Sequence, residues 1–246
     1  MQIIPAFVTQ NKCYQAGTPL TPRGIMLHSV GTPQPSAAVF ARSFNQYQPG
    51  GVSVCVHAFA QADGTVYQTL PWEMRGWHCG GSANSTHIGV EMTEPSAGMT
   101  RSEAAEQIAG TYRTVVELFA ELCKQYELDP AQDGVIIGHA EGHRRGVASN
   151  HADPELLWRT YDMGYTMDGF GRDVAGAMKN GAREEALDMP RYDSVAEMPQ
   201  WARADAQRLI DRGALQGNTD GKLDVSEDML RTMIVCQRMV DEQKET

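Results

Sequence analysis

Seven histidines stand at positions 28, 57, 78, 87, 139, 143 and 151, and none follows in the last 95 residues. Imidazoles grouped in this way confine metal or acid–base chemistry to the stretch between residues 28 and 153. His28 closes the apolar run GIMLH and His139 closes GVIIGH, so each stands at the end of a candidate strand. If those strands are neighbours, both imidazoles project from one sheet edge. Asp153 follows His139 by fourteen residues, in the run HADPELLW. Two imidazoles and one carboxylate are a donor set for Zn²⁺ that leaves one tetrahedral position open, as a catalytic site requires. The competing reading is that each His is a structural hydrogen-bonder at a strand end, and spacing alone does not separate the two.

The elements that would position these groups can be read from periodicity. Residues 24–30 (GIMLHSV), 52–60 (VSVCVHAFA), 65–70 (TVYQTL), 87–92 (HIGVEM) and 134–139 (GVIIGH) read as short strands, the second and third joined by the turn signal ADG. Thr100 and Glu103 form a capping-box pattern before a helix whose apolar positions include Ala105, Ile108, Tyr112, Val115, Phe119 and Leu122. Strands around a long helix predict an α/β fold with a mixed central sheet flanked by helices. His139 and His143 have the spacing of a helical metal pair, but Gly138, Gly142 and Gly146 argue against a long helix there. His57 reads as a buried structural histidine within an apolar strand. Trp72 and Trp201 read as packing residues.

The short motifs taken together resemble the type-2 N-acetylmuramoyl-L-alanine amidases, the zinc family that includes the peptidoglycan recognition proteins and the phage lysozyme-type amidases. The matching segments are GIMLHSVGTP (24–33), VSVCVHAFAQADGTVYQTLP (52–71), RGWHCGGSANSTHIGVEM (75–92) and GVIIGHAEGH with SNHADPELLW (134–158), in the family's order. The resemblance implies that His28, His139 and Asp153 hold Zn²⁺. It implies that Glu91 is the carboxylate activating the attacking water, and that His151 faces the substrate carbonyl where many members have Lys. It places Trp77, His78 and Asn84 on the substrate groove. Val56 stands where lysozyme-type members carry Tyr, which leaves the base role to Glu91. The connection between His139 and Asp153 is longer than in short-loop members. The implied reaction is hydrolysis of the amide between N-acetylmuramic acid and L-alanine in bacterial peptidoglycan, in the manner of a phage or prophage endolysin. The alternative is a non-catalytic peptidoglycan-binding protein on the same fold, but all three ligand positions are filled.

Composition narrows the partners. The 246 residues carry 21 Lys and Arg against 31 Asp and Glu, a formal net charge of −10. Without basic clusters, the chain lacks the usual means of binding duplex nucleic acid. No apolar run is long enough for a membrane span. The opening MQIIPAFVTQNK lacks the basic and apolar regions of a signal peptide, which predicts a protein held in the cytoplasm until it is released to the cell wall. Five cysteines without CxxC spacing predict free thiols.

Three segments follow from the composition: a catalytic domain over 1–180, a linker over 181–194, and a small all-α helix–loop–helix module over 195–246. The module predicts one helix over about 199–212, with Trp201, Ala202, Leu209 and Ile210 on one side. A second starts after Ser226, with Met229, Met233, Cys236 and Val240 as its stripe. The module resembles a single S-layer-homology repeat, which implies wall binding or homo-oligomerisation. Its loop also bears a partial match to an EF-hand calcium loop, through Asn218, Asp220, Gly221, Asp224 and Glu227, with Gln216 at the first ligand position instead of Asp.

Overall fold

The computed structural model describes residues 1–46, 54–188 and 191–242. The part of the expected second strand at 52–53 therefore lies outside the described residues. The chain divides into two compact units, Met1–Asn180 and Gly181–Thr246.

In the first unit the elements run β1 (Gln2–Pro5), α1 (Lys12–Ala16), β2 (Gly24–Ser29), α2 (Ala37–Phe44), β3 (Ala58–Ala60), β4 (Thr65–Gln68), a 3₁₀ turn (Ser82–Ser85), β5 (His87–Met92), α3 (Arg101–Gln125), β6 (Ile136–Gly138), α4 (His139–Arg144) and α5 (Glu155–Thr160). α6 (Met167–Asp188) follows and runs past Asn180. The six strands form one sheet in the order β1-β4-β3-β5-β2-β6. Only β3 and β4 pair antiparallel; the other neighbours are parallel, so the sheet is mixed.

Side chains alternate across a strand, and the two faces of this sheet have different jobs. Ile25 and Leu27 of β2, Ile88, Val90 and Met92 of β5, and Ala58 and Ala60 of β3 share one fully buried core with Val115, Leu118 and Phe119 of α3 and with Trp158 and Phe170. The alternate residues, Met26 and His28 of β2 with Gly89 and Glu91 of β5, fall on the opposite face. α3 begins where expected. The Thr100 hydroxyl accepts from the Glu103 amide, and the Glu103 carboxylate accepts from the Thr100 amide, completing the capping box. It ends at Tyr126, followed by Glu127 at φ 54°. Removing a fully buried ring such as Phe119 would cost about 3–5 kcal/mol, and that packing holds the sheet flat against α3.

The second unit holds β7 (Arg191–Tyr192), α7 (Gln200–Asp211), β8 (Val225–Ser226) and α8 (Glu227–Glu242), with β7 and β8 paired antiparallel beside the two helices. The stretch expected as a linker is helical as far as Asp188. Its run of Ala, Arg, Glu and Leu after Gly181 has high helix propensity, which outweighs the glycine. The core of this unit is Met198, Ala202, Ala206, Leu209, Leu215, Val225, Leu230 and Ile234. That corrects two expected faces. On α8 the buried stripe is Leu230 and Ile234, with Met233 partly buried, while Met229 and Cys236 are exposed. On α7 Ala202 and Leu209 are buried as expected, but Trp201 is exposed and lies under the Arg231 guanidinium, 4.7 Å from its ring centroid.

The loop with the partial calcium-motif match has other partners. The Asn218 side-chain Oδ1 accepts from the amides of Asp220 and Lys222. Asp224 pairs with Arg191, and Glu227 with Arg231 and the Tyr192 hydroxyl. Among the described residues, no helix is long and apolar enough to cross a membrane.

Candidate active site and metal centre

The parallel register of β2 and β5 sets His28 beside Glu91, and β6 pairs along the other edge of β2. His139 follows β6 directly as the first residue of α4, with Gly138 as N-cap. A helix therefore does form at 139–144 despite the glycines, although it lasts only six residues. His143 is exposed and does not join His139 in the group that could hold an ion, so the two are no metal pair. The long loop after α4 returns to place Asp153 against both histidines, and its carbonyl accepts from the Ala140 amide at 3.0 Å.

His28 Nδ1 lies 3.0 Å from His139 Nδ1 and 3.2 Å from Asp153 Oδ2, and His139 Nδ1 lies 3.6 Å from Asp153 Oδ1. Donor atoms about 2.0–2.1 Å from a tetrahedral zinc would stand about 3.3 Å from one another, which these separations bracket. Among the described residues this is the one group of His, Cys, Asp or Glu that could hold a metal ion.

Which protons these atoms carry follows from the atoms behind them. His78 Nε2 stands 3.2 Å from the His87 carbonyl, which can only accept, so that nitrogen carries the proton. In neutral His78, Nδ1 is then an acceptor, and it stands 3.0 Å from His28 Nε2. His28 must donate there, leaving its Nδ1 bare. On the other side, Ser149 Oγ donates to the Cys79 carbonyl at 3.0 Å and so accepts from His139 Nε2 at 3.3 Å, which leaves His139 Nδ1 bare as well. Two nitrogen lone pairs and a carboxylate thus face one another. Such a group repels itself unless a cation sits among it.

Protonating an imidazole is the poorer remedy. Burial pulls His28 below its ordinary value, against the pull of Asp153, and the neighbouring His139 lowers it further. Burial, with His28 and His57 close by, takes His78 well below the imidazole range. The donor set thus fits a divalent ion of borderline softness.

Glu91 faces the same cavity. Its Oε2 is buried with no hydrogen-bond partner. Burial, reinforced by Asp153 and Glu94, raises its carboxyl well above the usual range. His151 is exposed and stacks on His139, with ring centroids 4.5 Å apart. The cavity has a volume of about 900 Å³, and Trp77, Phe44, Val56, Leu156 and Tyr161 form its apolar walls. Val56, where a Tyr was the family alternative, presents only an aliphatic wall.

All three expected groove residues line the cavity, and two of them also make buried hydrogen bonds behind it. His78 is 9% exposed and stands behind His28. Asn84 is buried, and its Oδ1 accepts from the amides of His78 and Cys79 at 2.9 and 3.0 Å. Both reach the cavity wall, but their polar atoms hold the ligand loop in place. Trp77 remains half-buried on the cavity. Gly89 makes room for the His78 ring, since a Cβ there would fall 2.4 Å from His78 Cγ. His57 has both ring nitrogens on backbone, with Nε2 donating to Met74 O and Nδ1 accepting from Gly89 N, and burial lowers it to about 4. Trp72 is buried. Ser149 was missed: it lies in an irregular loop, where no periodicity marks a contact made across space.

Comparison with known proteins follows this geometry. The fold is similar to that of Staphylococcus aureus hydrolase AmiA, solved in complex with its ligand, at a TM-score of 0.59 and 20% identity over 75% of this chain and 86% of that one. It is also similar to the catalytic domain of XlyA (TM-score 0.53, 22% identity, 71% of this chain and 99% of that one). A mutant endolysin from Bacillus subtilis matches at a TM-score of 0.53 and 21% identity, over 71% and 99% of the two chains. A search among curated proteins finds no match. Residues 18–156, which hold His28, Glu91, His139 and Asp153, match the family N-acetylmuramoyl-L-alanine amidase, and the chain belongs to that family of hydrolases.

Proposed function

We propose that the chain is a zinc-dependent peptidoglycan amidase that cuts the bond between the N-acetylmuramic acid lactyl carbonyl and L-alanine. The observation that carries this reading is the convergence of two bare imidazole nitrogens and a carboxylate beside a glutamate whose Oε2 is buried without a partner. His28, His139 and Asp153 would hold the ion. A zinc ion there supplies Lewis acidity to the scissile carbonyl and to the attacking water. Glu91 takes the water's proton and returns it to the leaving amine, the task for which a raised carboxyl pKa is suited. His151, on the open side of His139, donates to the developing oxyanion from the position where many relatives have Lys. His78 acts through His28 by fixing which nitrogen faces the ion, and Asn84 holds His78. Trp77 offers its face to the substrate from the cavity wall.

An endolysin stands among the proteins of similar fold. On that footing we assign the enzyme to wall lysis in a phage or prophage cycle, with the second unit as a wall-binding or self-associating element. The test is digestion of purified peptidoglycan followed by mass spectrometry. The reading requires stem peptides with free L-alanine amino termini and glycan strands bearing free lactyl carboxyls. Fragments cut within the glycan or within the peptide would overturn it.

A further inference from the structure

Behind one wall of the cavity, two buried thiols share one small apolar cluster. The Asn11 side chain ties their surroundings together: its Oδ1 accepts from the Cys13 amide at 2.9 Å, and its Nδ2 donates to the Val54 carbonyl at 3.2 Å. Cys55 follows Val54 and pairs with Trp77 through both backbone bonds, at 3.1 and 2.9 Å. Cys13 Sγ donates to the carbonyl of Arg75, two residues earlier on that same stretch, at 3.3 Å. The two cysteines are therefore lashed to one short segment; the Cys55 thiol donates to the Val56 carbonyl at 3.7 Å, and each thiol shifts the pKa of the other. They share one apolar cluster with Val8 and Leu70, at 1% and 0% exposure. Cys79 and Cys123 belong to other clusters, and Cys236 is exposed in the second unit.

We propose that Cys13 and Cys55 are a disulfide-forming pair that cross-links α1 to the cavity wall when the protein meets a low-molecular-weight disulfide as oxidant. Cys13 is the attacking sulfur. The neighbouring Cys55 thiol lowers its pKa against the opposing effect of burial, and Arg75 adds to the lowering. The Cys13 thiolate attacks one sulfur of the oxidant, forming a mixed disulfide and releasing one thiolate. Cys55 then loses its proton and attacks the Cys13 sulfur, releasing the second. The sum is two protein thiols and one small disulfide giving one protein disulfide and two small thiols. Because both sulfurs are buried, local opening of the short helix α1 paces the reaction. Val54 and Val56, on either side of Cys55, and Trp77 opposite it line the cavity, so the bond fastens that wall to the N-terminal segment.

Incubation of the folded full-length chain with glutathione disulfide, then alkylation under denaturing conditions, tests this. The expected product has lost two hydrogens, leaves three of the five cysteines alkylatable, and yields a Cys13–Cys55 cross-linked peptide. Its melting temperature rises by about 4 °C or more, because the bond constrains the unfolded chain. C123S should behave like wild type, whereas C13S and C55S should show neither the mass change nor the shift. Five alkylatable cysteines after oxidation, a stable glutathione adduct alone, or a bond between other cysteines would overturn the proposal. The alkylation map of the unmutated chain decides even where a variant fails to fold.

Discussion

Two acidic regions of this chain use the same residue types to opposite ends. In the second unit, Asp224 faces Arg191, Glu227 faces Arg231, and Asp193 faces Lys222. Every one of these carboxylates already has its cation, and the Asn218 oxygen holds its own turn. In the first unit, Asp153 meets the bare sides of two imidazoles and the Ser29 amide but no cation, and Glu91 Oε2 meets nothing. What makes a cation site is therefore not the number of acids but whether their charge is left unanswered by a cation of the chain itself. The loop that resembles a calcium motif satisfies itself. The cluster with no sequence-local motif does not.

The sharpest way to break this contrast is at Glu91. E91Q should lower turnover by about 10²–10⁴-fold while leaving the metal content unchanged, since the ligands are untouched. Unchanged turnover would remove Glu91 from the chemistry. The same variant tests the burial argument by its pH dependence. The folded-state pKa of Glu91 is raised, so the folded chain keeps a proton that the unfolded chain releases above about pH 4.3. Wild type should therefore lose stability as pH rises above that value, and E91Q should not. In chelator-treated samples E91Q should be the more stable of the two near neutral pH, with the difference fading below about pH 4. Equal pH profiles would show that Glu91 is not held in a charge-poor place.

A smaller effect is expected one contact further out. H78A should weaken zinc binding by about 10–100-fold in a chelator competition. H78N, which keeps an acceptor near the Nδ1 position, should recover most of the loss. Full affinity in a folded H78A would mean that His28 chooses its own tautomer. The smallest effect is predicted in the second unit. D224N should change neither the melting temperature measurably nor its response to added calcium, because an exposed Asp–Arg pair contributes little. A calcium-dependent rise in wild type that D224N abolishes would erase the contrast between the two regions.

How far these features could be read from sequence depends on how local their causes are. β5, the β2 strand ending near His28 and the capping box of α3 rest on patterns within a few residues, and each stands where periodicity put it. On α8, Met229, Met233 and Cys236 recur at helical spacing just as Leu230 and Ile234 do. The choice between the stripes is made by packing against α7, which no local window contains. His28, His139 and Asp153 could be named because the family likeness joined three distant segments. The roles of His78, Asn84 and Ser149 could not, since they depend on which ring nitrogen meets which carbonyl across the fold.

The central claim is that three convergent donors hold one ion. Elemental analysis of the purified chain, before and after chelation and repletion with Zn²⁺, measures this most directly, with D153A alongside. The account predicts one zinc per wild-type chain, removable and restorable, and none in a folded D153A. A wild-type chain that takes up no zinc, or a D153A chain that keeps it, would contradict the account.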